Sequence, residues 1–185
     1  MGSNAALVLI DVQKAFEDPS WGPRNNPGAE DQIAILLAAW RARAAPVVHG
    51  YHDSQMPGST LAPGSAGNAP KDVARPEPGE PVYRKVVNSA FIGTSLEADL
   101  RQAAIDTVVI VGLTTNHCAS TTARMAGNLG FQTIVVSDAT ATFDRKTVDG
   151  TNRRAEDVHA GALSDLNEEF ARILDTAAVL KLVQG

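Results

Sequence analysis

Residues 6–10, Ala6-Leu7-Val8-Leu9-Ile10, form an apolar run with no polar residue in it. A strand with one face in water alternates apolar and polar positions. An unbroken run of this length predicts a strand covered on both faces, the habit of a parallel sheet sandwiched between helices. The same signal returns at 108–111 and 133–136, and begins again at Val47-Val48 after Pro46. Between these runs the period changes. Ile33, Leu36, Leu37 and Trp40 make a helical stripe over 30–43. A helix is expected over 95–104 with Ser95 as its N-cap, another over 119–130 closed by Gly130, and a long amphipathic one over 155–174. Residues 82–87 read as a short strand and 177–180 as a last edge strand. Strands alternating with helices predict a three-layer α/β/α sandwich with a mostly parallel, doubly wound sheet.

Residues 51–81 are rich in Gly, Pro, Ser and Asn and lack periodicity, and residues 138–154 read as a second polar loop. A loop as long as the first is usually functional or mobile. No repeat or composition break divides the 185 residues, so 1–185 is expected to be one domain. The net charge of −5 argues against a nucleic-acid or anionic-membrane partner. One cysteine excludes an internal disulfide and suits a reducing cytoplasm. No stretch approaches a membrane span, and Met1-Gly2-Ser3 is followed by Ala6 where myristoylation calls for Ser or Thr. The chain is therefore expected to be soluble and cytoplasmic.

Sheets of this kind collect their sites at the carboxyl ends of strands, near the point where strand order reverses. Three residues pass that filter. Asp11 directly follows the first run, Lys85 lies in the short strand, and Cys118 sits after the third run at the start of a helix. Each has a structural alternative: a turn aspartate, an edge-protecting lysine, a small buried thiol. Together they make an acid–base group, a cation and a nucleophile. The unpaired N–H groups and dipole at a helix start favour a thiolate, and a nearby cation lowers its pKa. Asp11 would take the thiol proton and return it to a leaving group, with Lys85 holding the carboxylate.

The residues around these three resemble the isochorismatase-like cysteine hydrolases, the family of nicotinamidases and N-carbamoylsarcosine amidases. The matching segments are residues 6–13 with Phe16, Lys85 with Asn88-Ser89-Ala90-Phe91, and residues 111–118; Ser137-Asp138-Ala139-Thr140 is also similar. The resemblance implies a catalytic triad of Asp11, Lys85 and Cys118. It implies a non-proline cis peptide at Leu113-Thr114, with the backbone N–H groups of Thr114 and Cys118 as an oxyanion hole. It also implies hydrolysis of a small amide, ureido or carbamoyl compound through a thioester, in a homo-oligomer (dimer or tetramer). Lactam or ester hydrolysis, or a silent ligand-binding member of the fold, are the alternatives.

Nicotinamidases of this family bind a metal through an Asp-x-His pair after the second strand and a further His before the lysine. Here the region reads His49-Gly50-Tyr51-His52-Asp53, with no His between His52 and His117. No metal and no cofactor are expected, which counts against nicotinamide as substrate. True isochorismatases generally lack the cysteine, so Cys118 favours C–N cleavage. Gln13, Phe16, Trp21, Phe91, Asn116 and His117 are the expected pocket residues, with Arg24, Asn25 and Asn26 in the loop that carries Trp21. A neighbouring subunit could complete the pocket through Trp21 or the 51–81 loop. His117 points away from its neighbour Cys118 at a helix start, so a Cys–His pair is not expected. Arg145, Lys146, Arg153 and Arg154 read as a solvated loop, and His159 as structural. Gly112 and Gly130 are turn and cap glycines outside any phosphate-binding fingerprint.

Overall fold

Six parallel strands form one sheet, in the order Val82–Lys85, Val47–His52, Ala5–Ile10, Thr107–Leu113, Gln132–Ala141 and Arg172–Leu174. The computed structural model describes residues 4–184, so the Met1-Gly2-Ser3 motif lies outside the described residues. In chain order the strands are β1 (Ala5–Ile10), β2 (Val47–His52), β3 (Val82–Lys85), β4 (Thr107–Leu113), β5 (Gln132–Ala141), β6 (Arg145–Lys146), β7 (Asn152–Arg153) and β8 (Arg172–Leu174). The helices are α1 (Ala29–Ala42), α2 (Leu96–Gln102), α3 (Ser120–Asn128), α4 (Ala155–Leu166) and α5 (Thr176–Gln184). β6 and β7 pair antiparallel as a small separate hairpin.

Successive residues of each central strand feed opposite layers, as strand geometry requires. Leu7, Leu9, Val109, Val111, Ile134 and Val136 pack against Ile33, Leu36, Leu37 and Trp40 of α1 and Val179 and Val183 of α5. Ala6, Val8, Ile10, Val108, Ile110 and Val135 pack on the other side against α2, α3 and α4 through Leu96, Leu100, Ala123, Ala126 and Leu166. All six residues of β1 are buried, as its unbroken apolar run predicts. From β1 the chain winds outward through β2 to β3, then returns to β4 on the other side of β1. The reversal point therefore lies between the carboxyl ends of β1 and β4.

Four expectations change. The helix expected over 155–174 stops at Leu166, where Glu168 takes φ +67°, and residues 172–174 become edge strand β8. Residues 177–180 belong to helix α5 and not to a strand, because Val179 and Val183, four apart, bury on one face. Asp175 caps that helix by accepting from the Ala178 N–H at 2.7 Å. β5 continues to Ala141, through residues expected in a loop, after a register shift against β4 between Ile110 and Gly112. Ser95 stands at the start of α2, but its hydroxyl donates to Asp99 Oδ2 at 2.7 Å and accepts no backbone N–H.

The long loop after β2 is tied down along its length. Asn68 Nδ2 donates to the carbonyls of Leu61 and His52 and to Asp53 Oδ1. Lys71, also buried, donates to Glu30 on α1 at 2.7 Å. Among the described residues, no helix is long and apolar enough to cross a membrane.

Candidate active site

The chain leaves β1 at Asp11 with φ +51°, a left-handed conformation that aspartate tolerates better than most residues. Its N–H donates to the Gly50 carbonyl at 2.8 Å, which fixes the turn against β2. Lys85 ends β3, and its ammonium donates to Asp11 Oδ2 at 2.8 Å. Both side chains are closed to solvent. A buried charge pair persists only where each partner compensates the other, so each of these residues fixes the other.

β4 ends at Leu113, and the Leu113–Thr114 peptide bond is cis. A π-helical turn, Thr115–Ala119, then carries Cys118 into α3. The turn is fastened from outside: Thr115 Oγ1 and His159 Nδ1 of α4 are 2.8 Å apart and buried, and Thr142 Oγ1 donates to Asn116 Oδ1. Cys118 Sγ, a carboxylate oxygen of Asp11 and a ring nitrogen of His52 lie within 4.8 Å of one another. The three sequence-derived candidates, from three strand ends, thus meet at the reversal point, and His52 joins them.

The electrostatics differ from the sequence expectation. Burial and the adjacent Asp11 charge push the Cys118 thiol up to about 12, against the opposing pull of Lys85. Burial and the Asp11 carboxylate thus favour the neutral thiol over the thiolate that a helix start suggests. Burial also raises Asp11, and the Lys85 charge opposes it. His52 is held below its ordinary value by burial and then by Lys85, so its ring is neutral near pH 7. Two buried polar atoms here, Asp11 Oδ1 and His52 Nδ1, have no hydrogen-bond partner.

The expected pocket residues divide by what they touch. Gln13 is fully buried and its amide is engaged: Nε2 donates to the His52 and Asn68 carbonyls and Oε1 accepts the His52 N–H. It is a clamp between β1, β2 and the long loop. Phe16, Trp21 and Phe143 form one aromatic cluster with centroids 4.9–6.1 Å apart. Trp21 thus packs within its own chain, and its indole donates to the Ala15 carbonyl. Asn25 Oδ1 accepts the Thr142 N–H, Asn26 donates to the Ser137 and Thr140 carbonyls, and Arg24 pairs with Glu30. The two asparagines hold the loop along β5 and its C-terminal end, and the ion pair ties it to α1. Phe91 is half-buried against Phe131. His117 is exposed, with Arg145 Nη2 3.5 Å from its Nδ1, so it does not pair with Cys118.

His49 Nε2 meets Glu80 at 2.8 Å, while Asp53 accepts from Arg84 and Asn68. His49, His52 and Asp53 therefore do not converge, and the nicotinamidase pattern does not fit. Asp11, His52 and Cys118 are close enough to hold a cation, but the Lys85 ammonium already neutralises Asp11.

The isochorismatase domain model matches residues 5–178. The chain belongs to the isochorismatase family. A member of that family from Bacillus subtilis (strain 168), the uncharacterized protein YrdC, is 47% identical over 176 residues, covering 95% of this chain and 94% of YrdC. A crystal structure of an isochorismatase-family protein from Chromobacterium violaceum superposes with a TM-score of 0.96 at 46% identity, covering 99% of this chain and 95% of that one. The maleamate amidohydrolase of Pseudomonas putida is 29% identical over 190 residues, covering 94% of this chain and 84% of that enzyme. The six-stranded parallel sheet with its flanking helices is the isochorismatase-like α/β fold, and the family is one of hydrolases.

Proposed function

We propose that the protein is a cysteine-dependent hydrolase of small amide, ureido or carbamoyl compounds. One observation carries this reading: a thiol, a buried carboxylate and the ammonium that holds it converge where the sheet reverses. The likeness to an enzyme named maleamate amidohydrolase supports a C–N bond as the target.

In this mechanism Cys118 Sγ attacks the substrate carbonyl carbon while its proton passes to Asp11. The thiol is neutral at rest, so proton transfer and attack are coupled. The raised affinity of Asp11 for a proton suits it to receive one. Lys85 keeps the carboxylate oriented and stabilises its charge between transfers. The backbone N–H groups of Thr114 and Cys118 meet the tetrahedral oxyanion. Collapse breaks the C–N bond, and Asp11 delivers its proton to the departing nitrogen, which leaves as ammonia or an amine. Water then attacks the thioester, giving one proton to Asp11 that returns to Sγ as the acid product leaves.

A screen of small primary amides and terminal ureido compounds for ammonia release tests the reading. Turnover that disappears in Cys118→Ala is expected. Turnover by Cys118→Ala at the wild-type rate would end the proposal.

A further inference from the structure

Thr115, Asn116 and His117 separate Thr114 from Cys118, whose backbone N–H groups form the proposed oxyanion hole. Each of the three meets a side chain from elsewhere in the chain. Thr115 Oγ1 and His159 Nδ1 of α4 are 2.8 Å apart, Thr142 Oγ1 donates to Asn116 Oδ1, and Arg145 Nη2 lies 3.5 Å from His117 Nδ1. These tethers are unequal. His117 is exposed and its contact is long, while the Asn116 bond is only part-buried. The Thr115 bond is buried, its threonine is closed to solvent, and its partners stand 44 positions apart. A hydrogen bond in such surroundings is stronger than one in water, and losing either partner leaves the other unpaired.

The turn has need of a tether. Thr115–Ala119 is π-helical, a wide turn found mostly at functional sites. The Thr114 carbonyl accepts from the His117 N–H at 3.1 Å and the Ala119 N–H at 3.3 Å. Those bonds close the turn on itself and do not fix it against the layers around it. The His159 ring does, because it also hydrogen-bonds the Ser137 backbone on β5. One buried imidazole thus joins α4 and β5 to the first residue of the turn. A phenyl ring would fill the same space and join nothing.

We infer that His159 is a positioning residue, which through Thr115 holds the turn where the N–H groups of Thr114 and Cys118 meet the oxyanion. The inference rests on the amide-hydrolase reading and adds a residue that touches neither the substrate nor the reacting atoms. It separates two kinds of attack by the same thiol. Displacement of iodide from iodoacetamide forms no oxyanion and needs only an accessible Sγ. Acyl transfer from p-nitrophenyl acetate needs the hole as well: Sγ bonds the acetyl carbon, the thiol proton passes to Asp11, and p-nitrophenolate leaves as the C–O bond breaks.

The test measures both rate constants at one pH in wild type, His159→Phe, His159→Asn and Thr115→Val, with thermal unfolding to confirm that each variant folds. Deleting an oxyanion donor costs 10²–10³-fold in other hydrolases, and displacing the pair costs less, so His159→Phe should slow acylation about 30-fold. Alkylation should change less than about threefold. Thr115→Val cuts the same bond from its other end and should match His159→Phe, which keeps the test alive if the phenylalanine variant fails to fold. An amide can donate or accept, so His159→Asn can bond the Thr115 hydroxyl either way and should recover most of the acylation rate. Equal losses for both reagents, no loss in either, or an asparagine variant no better than phenylalanine would overturn the inference. The amide-hydrolase reading fails separately: a p-nitrophenolate burst that survives in Cys118→Ala, or none in wild type, would contradict it and the inference with it.

Discussion

The Lys85 ammonium donates to Asp11 Oδ2 at 2.8 Å, and neither side chain is more than 1% exposed. Two residues 74 positions apart in the chain are thereby joined across the end of β2. The pair is both a structural element and the core of the proposed chemistry, and these two roles separate on mutation.

Removing one partner leaves an uncompensated buried charge. Lys85→Met should lower stability by about 3–5 kcal/mol, and adding Asp11→Asn should restore much of that loss, because the second change removes the stranded carboxylate. Urea unfolding of the wild type, both single variants and the double variant measures the coupling. Additive losses would show that the two groups do not depend on each other.

The thiol has its own pH signature. With Cys118 pushed up to about 12, its iodoacetamide labelling at pH 7 should be slower than that of an ordinary thiol, whose pKa is about 8.5, and should climb through the alkaline range. Asp11→Asn removes a charge that raises the thiol and leaves the Lys85 cation beside it. Labelling should therefore speed up at neutral pH in this variant while turnover falls. A parallel fall in both would mean that Asp11 activates the thiol in the free protein.

The central strands β1 and β4 were legible because burial on both faces writes itself into unbroken apolar runs. The three residues of the proposed triad were legible because strand ends in such a sheet share a direction. Other features depend on contacts far apart in sequence. The extension of β5 through Ser137, Asp138 and Thr140 looks polar, and only pairing of Gly112 with Thr140 makes it strand. The break between α4 and β8 falls at Glu168, a residue with no local signal for its positive φ. The place of His52 beside Cys118 was not legible, since only the fold turns it toward the thiol and leaves His49 on Glu80. The neutral state of the thiol likewise comes from burial and from Asp11, neither of which its own neighbours in sequence reveal.

Gly112 has a requirement that no other residue meets. It takes φ +115° where β4 pairs with β1, and a Cβ there would collide with the Ile10 carbonyl oxygen. Gly112→Ala should destabilise the protein by about 3 kcal/mol and displace the turn that follows toward Cys118. Thermal unfolding measures the first effect and labelling of Cys118 the second. A variant as stable as wild type would mean that β4 can shift away from β1 freely.

The loop after β2 should respond to acid. Burial would raise Glu30, but hydrogen bonds from Arg24 and Lys71 hold it down at about 2. A carboxylate with a depressed folded-state pKa contributes stability above its unfolded value of about 4.3 and loses it as pH falls through the folded one. Stability should decline by about 2 kcal/mol between pH 5 and pH 2 through this group alone, and Glu30→Gln should flatten that part of the profile. The check is the urea midpoint against pH for both proteins.

The central claim is a covalent one, so it is best tested by weighing the enzyme during turnover. Wild-type protein would be quenched in acid while hydrolysing an amide found in the screen, then analysed by intact and peptide mass spectrometry. The account predicts an added acyl mass on the peptide that contains Cys118, with ammonia released in equal amount in the first turnover, and no adduct in Cys118→Ser. Steady hydrolysis by Cys118→Ser at the wild-type rate, or an acyl group carried by any other residue, would contradict it.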